Sequence, residues 1–390
     1  MKRNKIFIIN TILIILFCFL AIILINISDM PIIWLGFSAA LITIYKTIKS
    51  QKTIKAIWLN ISVFILCVTF FETFLHIKEF IQPLPNKSSF IYGDQYFVSH
   101  EALGYAPKKN MQTQSKRYEN KKLAYNVTYT IDKKGLRISP LTEKNTFNKC
   151  VLFFGGSFTY GEGVEDHETM PYLVQDLSGN QYRSYNFGFH GFGPHQMLSY
   201  FHHHMVEEIV SCNEKVYLIY QFIMSHVRRA AGREPWGEHG PKFILRKDGM
   251  VNYAGHFDDN YFLLTLKRLS YKYLTYRNIK QYNKKGQLLE DIQLLVGILK
   301  TTRHHFKSLY PNGEFHIIFW NVRGNPLNDK RVLEGLKKEH FKIHLITSIL
   351  VDFNKDMKQY LMSQYDDHPN QMAYQTMARY VVDKILSKDK

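Results

Sequence analysis

VLFFGGSFTYGEGV, residues 151–164, is the stretch from which the fold of this 390-residue chain can be read. Its four leading apolar residues, Val151 to Phe154, form a buried-strand run that glycines terminate. Gly155 and Gly156 permit a sharp turn, and Ser157 occupies its apex. Beyond Gly163, the polar run Glu165-Asp166-His167-Glu168 leads into MPYLVQDL, whose apolar spacing suits an amphipathic helix. Ser157 therefore sits where a strand ends and a helix is about to begin. In an open α/β sheet that edge is where ligands bind. A hydroxyl held there can also use the N–H groups of its turn to stabilise an oxyanion.

Outward from this turn, strand-like and helix-like segments alternate. Strands are expected at 151–154, 183–186, 216–222, 314–320 and 343–350, and helices near 166–178, 195–210 and 286–309. A closing helix is expected over 371–387. The alternation predicts a parallel sheet with helices on both faces. Residues 228–284, rich in Gly, Tyr and Arg, form an insertion expected to line or cover the site. Residues 80–149 carry short alternating runs such as Tyr125-Asn126-Val127-Thr128-Tyr129-Thr130, ended by the turn Asp132-Lys133-Lys134-Gly135. They predict a small β-rich segment packed on the main domain. Its cations Lys108, Lys109, Lys116, Arg117, Lys121 and Lys122 read as a solvated loop.

Two further motifs complement the first. YNFGFHGFGPHQ, residues 185–196, also follows a strand and opens a helix, and Gly188 offers an N–H to an oxyanion. YDDHPN, residues 365–370, sets an acid two positions before His368. An imidazole so placed can take a serine proton while the acid orients it. GGSFTYGEGV, NFGFHGFGP and DDHPN, in this order, resemble the SGNH hydrolases, also called GDSL-like esterases and acyltransferases. The resemblance spans roughly residues 150–390. It implies a three-layer, flavodoxin-like α/β/α domain with Ser157 as nucleophile, His368 as base, Asp366 as acid and Gly188 as an oxyanion donor. The LGY and YTID-KKGLR stretches before Ser157 also look like those of membrane-anchored bacterial members. The third block departs from the family: Ser225 and His226 stand where its Asn and Asp would be. A side-chain oxyanion donor is then Ser225, His226 or absent.

The N-terminal 79 residues read as a membrane anchor. Residues 6–27 carry no charge and are long enough to span a bilayer, and apolar runs at 31–45 and 56–75 follow. No small-residue cleavage site follows the first run, so it reads as an uncleaved anchor. Lys2, Arg3 and Lys5 precede it, and Lys46, Lys49, Lys52 and Lys55 separate the second run from the third. Three spans with both basic segments in the cytoplasm put the large domain on the extracytoplasmic side, whereas two spans would leave it in the cytoplasm; three is the preferred reading. Glu72, near the end of the third run, reads as snorkelling to the interface. Cys18 and Cys67 fall inside apolar runs, whereas Cys150 and Cys212 are either unpaired thiols or, in an exported domain, a disulfide.

The net charge of +17 suits contact with anionic lipid or acidic polymers. No zinc spacing, Walker loop or nucleic-acid motif accompanies it, so no nucleic-acid partner is expected. His202-His203-His204 point in different directions on a helix and do not suit one shared metal, and His304-His305 beside Lys307 read as a solvated face. The sequence thus predicts a serine esterase or O-acyltransferase anchored by several spans in the inner (cytoplasmic) membrane, with its catalytic domain on the extracytoplasmic (periplasmic) side, needing neither metal nor organic cofactor. Its expected partners are the lipid bilayer and an acylated envelope glycan or lipid. The alternative is a non-catalytic scaffold or glycan-binding protein of the same fold.

Overall fold

The computed structural model describes residues 31–49, 51–81, 88–140, 147–212, 214–260, 284–322, 325–353, 355–363 and 366–389. The apolar run at 6–27 lies outside the described residues. The chain divides into two compact units, Met1–Leu84 with Phe262–Asn283, and Pro85–Tyr261 with Lys284–Lys390.

In the first unit, helices α1 (Pro31–Lys49) and α2 (Lys52–Ile81) pair as an antiparallel hairpin. Lys46 lies over the ring of Trp58, and Phe37 meets Phe70 edge-on at 5.9 Å. The two backbones approach closely at Gly36, where a Cβ would stand 2.5 Å from Thr69 Oγ1. Ile54–Phe74, 21 residues with a mean hydropathy of 2.0, is long and apolar enough to cross a membrane. Its Ile57, Phe64, Phe71 and Phe74 face outward, while Ser62, Thr69 and Thr73 are turned in and donate their hydroxyls to carbonyls one turn back. Glu72 is buried with the inward set. This differs from the snorkelling expectation, because its position in the helix turn matches Thr69 and Thr73 and not the outer phenylalanines.

The second unit begins with five short strands: β1 (Ser88–Ile91), β2 (Phe97–His100), β3 (Gly104–Pro107), β4 (Met111–Glu119) and β5 (Lys122–Ile131). β4 and β5 form a long antiparallel hairpin with β1 on its outer edge, and β2 pairs β3. Asn120 and Lys121, both with positive φ, make the two-residue loop that matches the twist of such hairpins. Of the cationic run expected as a solvated loop, Lys116, Arg117 and Lys122 are thus in strands, and Lys108, Lys109 and Lys121 lie between strands. Alternation along β4 turns Thr113, Ser115 and Arg117 inward.

The central layer is a five-stranded parallel sheet. Its strands are β6 (Lys149–Gly155), β7 (Tyr182–Asn186), β8 (Lys215–Phe222), β11 (Glu314–Phe319) and β12 (Lys342–Leu345), in spatial order β12-β11-β8-β6-β7. By position this is the doubly wound order 2-1-3-4-5. The strands read as continuous apolar runs because both faces are covered. Cys150, Leu152 and Phe154 point to one core and Val151 and Phe153 to the other. Met170 and Val174 of α4 (Met170–Leu177) fill the second core with α11 (Gln371–Tyr380). The opposite face carries α5 (Pro194–His202), α7 (Ser225–Ala230), α8 (Lys284–Leu309) and α9 (Pro326–Lys338).

The remaining elements depart from the sequence reading in instructive ways. The run expected as one strand over 343–350 stops at Leu345, and Ile346–Ile349 turn helical, burying Ile346 and Ile349 and leaving Ser348 exposed. The helix expected over 195–210 breaks at His203-His204, where His204 has a φ of 56°. The insertion after α7 contains a β-hairpin, β9 (Pro241–Leu245) with β10 (Val251–His256), and its residues 261–283 lie outside the described residues. Cys150 and Cys212 form a disulfide with Cα atoms 6.0 Å apart.

Candidate active site

The site is built at the carboxyl edge of β6. Gly155 ends the strand with a φ of +153°, a conformation that favours glycine, and a Cβ there would lie 2.9 Å from Gln221 O of the neighbouring strand. Gly156 follows, and Ser157 starts the single-turn helix α3 (Ser157–Tyr160). The turn closes with Thr159 and Tyr160 N–H groups donating to Gly156 O at 3.0 Å.

The other two motif residues come from β14 (Asp366–Pro369), which pairs with β13 (Leu361–Ser363) just before α11. Asn370 caps α11 by accepting from Ala373 N–H, and Tyr374 donates to Phe158 O at 2.9 Å, which ties that helix to the serine turn. The geometry that follows is a chain of three groups. His368 Nε2 stands 2.8 Å from Ser157 Oγ, and its Nδ1 stands 2.5 Å from Asp366 Oδ1. Asp366 is buried and Asp367 exposed, so the first of the two acids faces the imidazole.

Around these three lie charged groups that the motifs did not announce. Arg117 Nη1 of β4 lies 2.6 Å from Asp366 Oδ2, and both side chains are buried. Burial raises the Asp366 carboxyl, but the His368 hydrogen bond and charge, with Arg117 behind them, hold it below the usual carboxylate range. Glu162, in the loop after α3, points its Oε2 to His190 Nδ1 at 2.7 Å and to His368 Nε2 at 3.5 Å. Tyr92 and Tyr125 donate to its other oxygen at 3.4 and 3.5 Å. Burial favours the neutral acid, yet His368, His190 and Arg117 outweigh it and hold Glu162 at about 2. For His368, burial disfavours the cation, but Glu162 and Asp366 prevail and its pKa is raised.

The loop of the second motif lies directly against the serine turn. A Cβ on Gly188 would come within 2.6 Å of Tyr160 N, so glycine is needed there for contact. Its N–H, expected as an oxyanion donor, is already engaged: it donates to Asn186 Oδ1 at 3.1 Å. The asparagine at the end of β7 captures it, which corrects the sequence assignment.

His226 and Ser225 open α7 after β8. His226 is buried, and its Nδ1 lies 2.7 Å from the Tyr220 hydroxyl. Burial keeps Tyr220 well above its ordinary pKa and so protonated, and the same burial, with Arg229, keeps His226 well below its own. A Tyr220 O–H donating to Nδ1 satisfies both groups and leaves the hydrogen of the neutral imidazole on Nε2. Among the described residues that Nε2 has no hydrogen-bond partner, and it lies 3.2 Å from where a Cβ of Gly156 would be. Ser225 Oγ likewise has no partner among the described residues.

The β-rich segment also fixes the serine loop. Arg137, fully buried, donates to the carbonyls of Tyr160, Gly161 and Val164 at 3.0, 2.5 and 2.7 Å and pairs with Asp166 at 2.8 Å. Tyr129 OH accepts from Gly163 N–H at 2.9 Å. One side chain holding three loop carbonyls leaves the loop little freedom to shift relative to His368. Elsewhere, the exposed His204 pairs with Glu207, away from the motif residues.

No family model matches the sequence, and no curated protein matches it. Solved structures do resemble the chain. One is a member of the lipolytic protein G-D-S-L family from Veillonella parvula, 13% identical, covering 61% of this chain and 98% of that one at a TM-score of 0.36. An acetyl xylan esterase from the rumen bacterium Butyrivibrio proteoclasticus is 12% identical, covering 64% and 66% at 0.35. A salicylyl-acyltransferase from a tetracycline biosynthetic pathway is 12% identical, covering 64% and 58% at 0.36. Likeness at these scores assigns no activity, so the chemistry has to be argued from the side chains described above.

Proposed function

We propose that the chain is a membrane-anchored serine esterase or O-acyltransferase of the SGNH type that acts outside the cytoplasm on acylated envelope glycans or lipids. The observation that carries this reading is the run Ser157 Oγ–His368 Nε2 at 2.8 Å and His368 Nδ1–Asp366 Oδ1 at 2.5 Å. Ser157 Oγ attacks the acyl carbonyl as its proton passes to His368 Nε2. The carbonyl oxygen gains the electron pair and becomes an oxyanion. When the tetrahedral intermediate collapses, the ester C–O bond breaks and His368 returns the proton to the leaving alkoxide. Water or a sugar hydroxyl then attacks the acyl-serine, gives its proton to His368, and Ser157 is released with the proton back. Asp366 keeps Nδ1 protonated and compensates the imidazolium. His226 Nε2–H, beside Gly156, is the side-chain donor we assign to the oxyanion in place of the family asparagine, together with the Ser157 N–H.

The Cys150–Cys212 disulfide supports an oxidising, extracytoplasmic compartment, and the apolar Ile54–Phe74 helix supports an anchor. The test uses the full chain in detergent micelles with a fluorophosphonate probe and a short p-nitrophenyl ester. Wild type should label and turn over, and Ser157→Ala should lose the label and most of the turnover. Labelling that persists in Ser157→Ala would remove the nucleophile assignment. A wild type inert to both reagents would leave a binding protein of the same fold.

A further inference from the structure

His368 faces a carboxylate on each of its nitrogen edges, and only one of them belongs to the serine–histidine–acid chain. Asp366 meets Nδ1, where it fixes the tautomer and ring orientation. Glu162 Oε2 stands 3.5 Å from Nε2, the edge that also faces Ser157 Oγ. A base ready to accept the serine proton presents a lone pair on Nε2, and a carboxylate beside a lone pair is unfavourable. Once the proton has arrived, Nε2–H and the carboxylate attract. Glu162 therefore distinguishes the two states of the base at the atom where the proton lands.

From this arrangement, and resting on the proposed roles of Ser157 and His368, we infer that Glu162 is a positioning residue that stabilises the His368 imidazolium from its Nε2 edge. An ionised carboxylate in a buried site is retained only with partners. Each packed element supplies one: His190 from the loop after β7, Tyr92 from the end of β1, Tyr125 from β5 and Arg117 from β4. Asp366 opposes it as a like charge on the far side of the ring, and Tyr129, Tyr160 and Tyr374 stay neutral nearby because their pKa values are raised. Arg229 of α7 adds a more distant positive charge. His190 itself is held by Tyr96, whose hydroxyl meets Nε2 at 2.9 Å and the Tyr160 hydroxyl at 2.5 Å. This anchored imidazole keeps Glu162 bonded at 2.7 Å and prevents it from closing on His368 and excluding Ser157.

The consequence is a base that is stronger but available only at higher pH. A role limited to pinning the His190 loop would change how much protein folds without moving the pH at which His368 titrates. The rate of fluorophosphonate labelling of the full chain against pH reads this directly and needs no natural substrate. Wild type should show an acid limb above the ordinary imidazole value of about 6.5. Glu162→Gln, which keeps the shape and one acceptor oxygen but removes the charge, should move that limb down by about one to three pH units and lower the plateau. Glu162→Asp, which keeps the charge but shortens the arm, should give an intermediate limb and covers the case in which the glutamine variant does not fold. A limb unmoved in both variants overturns the inference. The control is separate: labelling that survives Ser157→Ala, or an acid limb that survives His368→Ala, removes the underlying nucleophile–base reading instead.

Discussion

Replacing Arg117 by methionine tests whether the small β-rich segment supplies part of the site. The guanidinium is buried against Asp366 at 2.6 Å, with Glu119 at 3.2 Å from its Nε and Phe90 under its plane. Two charges about 4 Å apart at an effective dielectric of about 20 attract by about 4 kcal/mol before desolvation is counted. The measurable quantity is different, because methionine fills the space but leaves Asp366 a buried anion. Breaking a buried pair from one side costs about 3–5 kcal/mol, a large share of the 5–15 kcal/mol that holds a typical domain together. The pH dependence has a definite sign. The Asp366 carboxyl is depressed in the folded protein, so its contribution is present above the unfolded value of about 3.9 and is lost as pH falls through the folded value. Without Arg117 the folded carboxyl takes up a proton at higher pH. The stability gap between wild type and Arg117→Met should therefore be widest near pH 7 and narrow towards pH 4. Chemical unfolding of the full chain in micelles, followed by far-ultraviolet circular dichroism, gives the gap at each pH. Asp366→Asn in the same background should couple to Arg117→Met by about 1–3 kcal/mol, since the asparagine removes the orphaned charge. An Arg117→Met protein within about 0.5 kcal/mol of wild type, the range of an ordinary surface change, refutes the reasoning.

His226→Phe keeps a ring of similar size and removes the Nε2–H, so kcat/KM on a p-nitrophenyl ester should fall by about 100- to 1000-fold in the folded protein, and the thermal midpoint should also fall because the buried Tyr220 hydroxyl loses its acceptor. A fall of less than about threefold would place the side-chain oxyanion donor elsewhere. Cys150→Ala/Cys212→Ala opens a link between residues 62 apart, which the chain-entropy relation values at about 4 kcal/mol. Dithiothreitol should bring wild type down to the same unfolding midpoint, and a midpoint indifferent to reductant would show that the two thiols are not bonded.

The parallel sheet was legible because its strands are short, continuously apolar and separated by helical spacing. VLFF and VYLIYQF announce burial on both faces, and the expected positions fall within about two residues of β6 and β8. Where apolarity was the guide, the reading slipped: Ile346 and Ile349 extend the apolar run IHLITSIL, but Thr347 and Ser348 lie between them and the four form a helical turn. Ser157, Asp366 and His368 were read from local spacing, since Ser157 follows a strand and the other two come just before a helix, and the structure brings the three within hydrogen-bond distance. Gly188 shows the limit of that logic. Its loop lies where the motif implies, but whether its N–H is open depends on the Asn186 side chain two residues away. Glu162 lies inside the very stretch that fixes the fold, yet its contact with His368 depends on a strand near the far end of the chain.

Arg117 is the most informative case. Read along the sequence it is one cation among six between Lys108 and Lys122, and such runs are usually solvated. Read by period two along β4 it shares the inward set with Thr113 and Ser115. A charge on an inward position signals a buried partner, and the partner is Asp366. Tyr92 and Tyr125 reach Glu162 from the same segment, Tyr129 holds Gly163, and Arg137 holds the three carbonyls of the serine loop. A boundary at residue 150, natural from the motifs, would strip Asp366 of its countercharge and release the loop that carries Ser157. The chemistry assigned to residues 157–368 is therefore encoded from about residue 88 onward, and the β-rich segment belongs to the site as much as the sheet does.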